Sequence, residues 1–190
     1  METSSQKQEE PWGLMHLHTI CYTLMGVVLF IHPNQASTLH EIGLGGLLFL
    51  AGLSTAWFGY RRRQGGQRDN SWFILSSIRD SLFGLALLIE IGSPLKTMVN
   101  ILGLWAIMYA FLQAIEAMFY FLGTRANDDK DYWVEVIHFF CVLIMGGFAF
   151  TLLMRPEGLQ TSLGFVGLFL VGLGAIQTLL TWRLMHKTRM

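Results

Sequence analysis

Six long apolar stretches, separated by short clusters of charge, leave this chain few ways to fold. They occupy residues 12–31, 41–60, 72–91, 97–122, 132–154 and 159–183. A helix needs about 20 residues to cross a hydrocarbon core of about 30 Å. Each stretch meets that length without a break. In lipid a single continuous segment can satisfy its own backbone only as a helix, and a barrel would show short alternating strands instead. Charged residues make up 14% of the chain and hydrophobic ones 53%, against about 25% charge in an ordinary soluble domain. The reading is therefore an all-α integral membrane protein with six transmembrane helices. Residues 12–185 form one membrane domain between short tails, 1–11 and 186–190, both expected in the cytoplasm. The first tail, METSSQKQEEP, lacks the basic start of a signal peptide, so no cleaved leader is expected.

Lysine and arginine orient the domain. With the N-terminus inside, Lys7, Arg61, Arg62, Arg63, Arg68, Arg125, Lys130, Arg183, Lys187 and Arg189 all lie on the inner side. Lys96 and Arg155 alone lie outside, and Arg79 falls within a span. This asymmetry places both termini in the cytoplasm. Arg61, Arg62, Arg63 and Arg68 act as the topology anchor, with an anionic lipid headgroup as the alternative partner. Zero net charge gives no signature for nucleic acid.

The six spans are a threefold repeat. Each odd-numbered span closes on a Gly, an apolar run and a Pro: GVVLFIHP at 26–33, GLALLIEIGSP at 84–94 and GGFAFTLLMRP at 146–156. Proline ends a helix, so each marks an outer turn. Each even-numbered span ends in basic residues, as in GYRRR, FLGTR and TWR. The unit is a helical hairpin of about 60 residues, at 12–63, 72–125 and 132–183. Glycines and alanines recur where helices would touch, as in close membrane packing. Aligning AGLSTAW, AFLQAIEA and VGLGAIQT puts Trp57, Glu116 and Gln177 at one position.

Three hairpins, six spans, about 190 residues and a Gly-to-Pro outer turn resemble the HdeD family of bacterial inner-membrane proteins across nearly the whole chain. The resemblance implies a small non-enzymatic protein of acid or general stress resistance. It brings no catalytic residues. No P-loop, Rossmann glycine fingerprint, HExxH or GxSxG occurs in the sequence, so no enzyme activity is expected. The expected partners are membrane lipid and either further copies of the chain or a larger membrane assembly.

Two intramembrane constellations carry chemistry, because ionisable groups are costly there. Arg79, Asp80, Gln113, Glu116 and Gln177 form a polar cluster in the inner half of the second and third hairpins. An Arg79–Glu116 ion pair fixing the second hairpin is one reading; a proton or ion relay through Glu116, Asp80 and the histidines is the other. The second constellation is HTICYTLMG at 18–26 and HFFCVLIMG at 138–146. Both read HxxCxxxMG, and they hold the only two cysteines. If the first and fifth helices face each other, His18, Cys21, His138 and Cys141 converge, a set that suits zinc, copper with nearby methionines, or a haem held by two imidazoles. Repetition alone also explains the spacing, and the middle copy carries Ser76 and Arg79 instead. Packing positions without a cofactor are therefore the expected reading.

Overall fold

The computed structural model describes residues 12–31, 38–64, 71–125, 132–154 and 159–189. The tail 1–11, Arg68, Lys130 and the prolines of the first and third outer turns lie outside them. Each apolar run winds into one helix: α1 (Trp12–Ile31), α2 (Thr38–Gln64), α3 (Ser71–Ile89), α4 (Leu95–Arg125), α5 (Tyr132–Met154) and α6 (Leu159–Arg189). All six contain a window long and apolar enough to cross a membrane, and no strand occurs among the described residues. The even-numbered helices run past the expected spans, because their basic ends continue the helix beyond the apolar segment. The second outer turn falls where Pro94 predicts it. Gly92 there has φ +83°, a left-handed conformation that glycine adopts without steric cost. Its amide donates to Glu41 Oε2 at 2.7 Å, which ties the turn to the start of α2.

Polarity does not separate inside from outside. Leu17, Ile20, Leu24 and Phe30 of α1 are exposed beside buried Cys21, Tyr22, Met25 and Leu29. A helix apolar all round is what a lipid-embedded bundle requires. Packing must then discriminate the faces by shape. The helices form a closed ring: α1 packs on α2, and so on in order to α6, which returns to α1.

The tightest pairs are α2–α3, α1–α6 and α4–α5, all between hairpins rather than within them. Glycine contacts explain two of these. A methyl group at Gly84 would lie 2.5 Å from the Phe49 amide nitrogen and 3.0 Å from the Gly45 carbonyl oxygen. One at Gly26 would lie 2.7 Å from both the Gly167 carbonyl oxygen and the Val171 nitrogen. At Gly52 it would strike Ser81, and at Gly174 it would strike Thr23. The α2–α3 and α6–α1 seams are thus one structure used twice. Gly45 and Gly52 correspond to Gly167 and Gly174, and Gly84 and Ser81 to Gly26 and Thr23.

This equivalence corrects the alignment of the even helices by two residues. Gly52 matches Gly174, not Gly172, and Thr55 matches Gln177. Trp57 is 52% exposed while Gln177 is 8% exposed, so the two do not share a position. The odd-helix alignment stands for the first two copies. The buried residues Ser77, Arg79, Asp80, Gly84 and Leu87 of α3 match buried Thr19, Cys21, Tyr22, Gly26 and Leu29 of α1. Gly146, the third signature glycine, has nothing within 4 Å of an added methyl. Gly43 and Gly46, expected at contacts, are equally open.

Candidate functional site

Asp80 is the centre of the buried polar structure. Its side chain is completely buried, and an ionised carboxylate offers about four acceptor positions. All four are used. Arg79 Nε donates to Oδ1 at 2.8 Å and Arg79 Nη2 to Oδ2 at 3.0 Å. Trp105 Nε1 donates to Oδ1 at 2.8 Å and the Tyr22 hydroxyl to Oδ2 at 2.8 Å. The arginine is equally committed. Its guanidinium carbon stands 4.1 Å from the centre of the Tyr109 ring, and Nη2 also reaches the Tyr22 hydroxyl at 3.2 Å. Gln177 then donates to the Tyr109 hydroxyl at 2.6 Å. One network joins α1, α3, α4 and α6.

The expected Arg79–Glu116 pair is therefore replaced by Arg79–Asp80. Adjacent residues on a helix diverge, yet the long arginine side chain folds back to meet the carboxylate in a two-point fork. Glu116 instead accepts from Gln113 Nε2 at 3.0 Å. The same amide nitrogen hydrogen-bonds His138 Nδ1, so Glu116, Gln113 and His138 form a chain from α4 to α5. His18 is held separately, with Nδ1 3.2 Å from the Ala51 carbonyl oxygen and 2.8 Å from the Thr55 hydroxyl. A carbonyl only accepts, so this fits the hydrogen on Nδ1 and leaves Nε2 as an acceptor.

The HxxC pairs form no metal-holding group among the described residues. α6 lies between α1 and α5 in the ring, and each of the two packs on it. Cys21 and Cys141 are buried free thiols. Among the described residues no three His, Cys, Asp or Glu side chains gather in a way that could hold a metal. His18, Cys21, His138 and Cys141 are inward-facing repeat positions, matched in α3 by Ser76 and Arg79.

A cavity of about 90 Å³ joins the two polar groups. His18, Thr55, Ser76, Arg79, Gln113, Glu116, Gln177 and Thr181 line it. At its mouth, near the basic helix ends, stand Trp12, Met15, Phe58, Arg62, Trp72 and Phe73. In the other direction the ring is filled by Tyr22, Met25, Trp105, Met145 and Phe148, all fully buried. The result is a chamber with a few polar groups in a mostly apolar wall, lying towards one end of the bundle and plugged towards the other. At about 30 Å³ per water, it has room for about three. Arg61 and Arg62 lie against Trp57 and Phe73 at 5.6 and 5.4 Å.

The structure divides the five residues of the expected polar cluster between two groups, Arg79, Asp80 and Gln177 in one and Gln113 and Glu116 in the other; sequence reading did not single out Tyr22, Thr55 and Thr181, and read Trp105 and Tyr109 as packing. A signal was present for the last two. They lie four residues apart deep in a span, and a Trp or Tyr that far from water needs a partner for its polar tip.

A family model described as a short repeat of unknown function (DUF308) matches residues 17–89, which is α1 through α3. No curated protein and no solved structure matches the chain.

Proposed function

We propose that this chain is a small, non-enzymatic bacterial inner-membrane protein of the HdeD kind, serving acid or general stress response, and that its working part is the chamber, open to the cytoplasm. The repeat match over the first three helices, the closed ring of six helices and the basic residues at the chamber end support this reading. One observation carries it. Of the two intramembrane carboxyls near the chamber, Asp80 is locked by four donors, whereas Glu116 faces the cavity and is bonded by a neutral amide. Glu116 is thus the group placed to exchange a proton with the cytoplasm. Arg79 from α3, His18 from α1 and Arg62 from α2 line the same chamber, and Gln113 links the carboxyl to His138 on α5.

The test is survival of an acid challenge by cells that depend on this protein. Glu116→Gln, expressed at the wild-type level in the membrane, is expected to lower survival at least tenfold, towards that of cells lacking the protein. Wild-type survival would refute the reading.

A conduit for protons or metal ions is the second reading, and the chamber favours it. The fully buried plug of Tyr22, Met25, Trp105, Met145 and Phe148 opposes it. Proteoliposomes carrying a pH-sensitive dye separate the two. The plug predicts sealed vesicles, whereas proton flux abolished by Glu116→Gln would establish the conduit.

A further inference from the structure

A site that handled only protons would need a carboxyl and a file of water. This chamber offers more, and we infer that it binds a small organic cation, a protonated or quaternary amine, admitted from the basic end of the bundle. The inference rests on the chamber being the working part of the molecule.

Three observations point to this chemistry. The first is the collar. Trp12 packs on Phe58 at 5.6 Å and Phe58 on Phe73 at 5.0 Å, so α1, α2 and α3 meet in one aromatic cluster at the mouth. Trp72 lines the same cavity and packs on Phe119 of α4 at 5.9 Å. Aromatic faces attract cations, most strongly where water is excluded, and quaternary ammonium groups are recognised in this way. The second is charge. Arg79 is neutralised by Asp80 and covered on one face by Tyr109, so the cation in the chamber wall is already matched by its own carboxylate. Glu116 supplies a carboxyl with a neutral partner, which would repel an anion and welcome a cation. Arg62, at the rim, lies against Phe73 at 5.4 Å. The third is the rest of the wall. Thr55 and His18 line the same cavity as Glu116 and add neutral polar groups to it.

Choline is the probe, titrated calorimetrically into the full chain in maltoside micelles. Its neutral isostere 3,3-dimethylbutanol has nearly the same shape without the charge. Choline is expected to bind saturably, and the isostere at least tenfold more weakly. Glu116→Gln is expected to weaken choline at least tenfold, and Glu90→Gln, exposed at the opposite end, to leave it unchanged. No saturable choline binding, equal binding of the isostere, or undiminished binding by Glu116→Gln would each overturn the inference. The isostere comparison uses the unmodified chain and so stands even if a variant fails to fold. Absent choline binding with acid survival still dependent on Glu116 removes the amine and leaves the proposed function intact. Choline binding with survival indifferent to Glu116 does the reverse.

Discussion

Asp80→Ala is expected to destabilise the bundle by about 3–5 kcal/mol, the usual cost of stranding one member of a buried ion pair. Four hydrogen bonds converge on this carboxylate, from α1, α3 and α4. Removing it leaves Arg79 buried and charged without its carboxylate and orphans the Tyr22 and Trp105 donors. The pair itself contributes far less than its disruption costs, because both ions lost their hydration to be there. The double replacement Arg79→Met with Asp80→Leu is therefore expected to recover the part of the loss that comes from the stranded charge, while the Tyr22 and Trp105 donors stay without their acceptor. Unfolding midpoints followed by circular dichroism in detergent give both values. A single-variant loss under about 1 kcal/mol, or a double variant worse than the single, would show that the network does not hold the ring.

The second large effect concerns two signature glycines that look alike in sequence. Gly26→Ala forces a methyl group to within 2.7 Å of backbone atoms of Gly167 and Val171. Backbone cannot swing aside as a side chain can, so α1 and α6 must separate. The expected cost is about 2–3 kcal/mol, towards the upper end for overpacking. Gly146→Ala, at the matching position of the third repeat, meets nothing within 4 Å. It is expected to be neutral, or to stabilise by up to about 1 kcal/mol through helix propensity. The same unfolding assay compares them. Equal losses would mean that the α1–α6 seam is not closed by glycine contact.

These two glycines also show where sequence reading succeeds and where it stops. The hydrophobic runs revealed six helices because lipid imposes length and apolarity on each span separately. Gly26, Gly84 and Gly146 revealed the repeat. They did not reveal that only the first two lie in close seams, since closeness depends on the partner helix. The even-helix alignment slipped by two residues for a related reason. Runs such as GLGGLLFLAGL and GFVGLFLVGLG offer several registers of nearly equal merit, and contact with Ser81 or Thr23 decides between them. Among the site residues, Arg79 and Asp80 were conspicuous as charges in a span. Their partners were not, because Tyr22 and Trp105 are ordinary residues in an apolar helix until the fold brings them to a carboxylate. The HxxC pair was the opposite case, a conspicuous pattern whose side chains gather into no metal-holding group among the described residues.

The return of α6 to α1 also has a consequence for how the molecule is made. Helices enter the membrane in order of synthesis, yet α1 has its closest partner in the helix that arrives last. Until then the groove beside Gly26 faces lipid, although Asp80 already has all its donors on α1, α3 and α4. The half-built protein is an open crescent, with a charged pair on its concave side and two unsealed edges. Closure of the ring is therefore timed by the final span, and a chain cut short before α6 keeps the partners of Asp80 but leaves the groove beside Gly26 open to lipid.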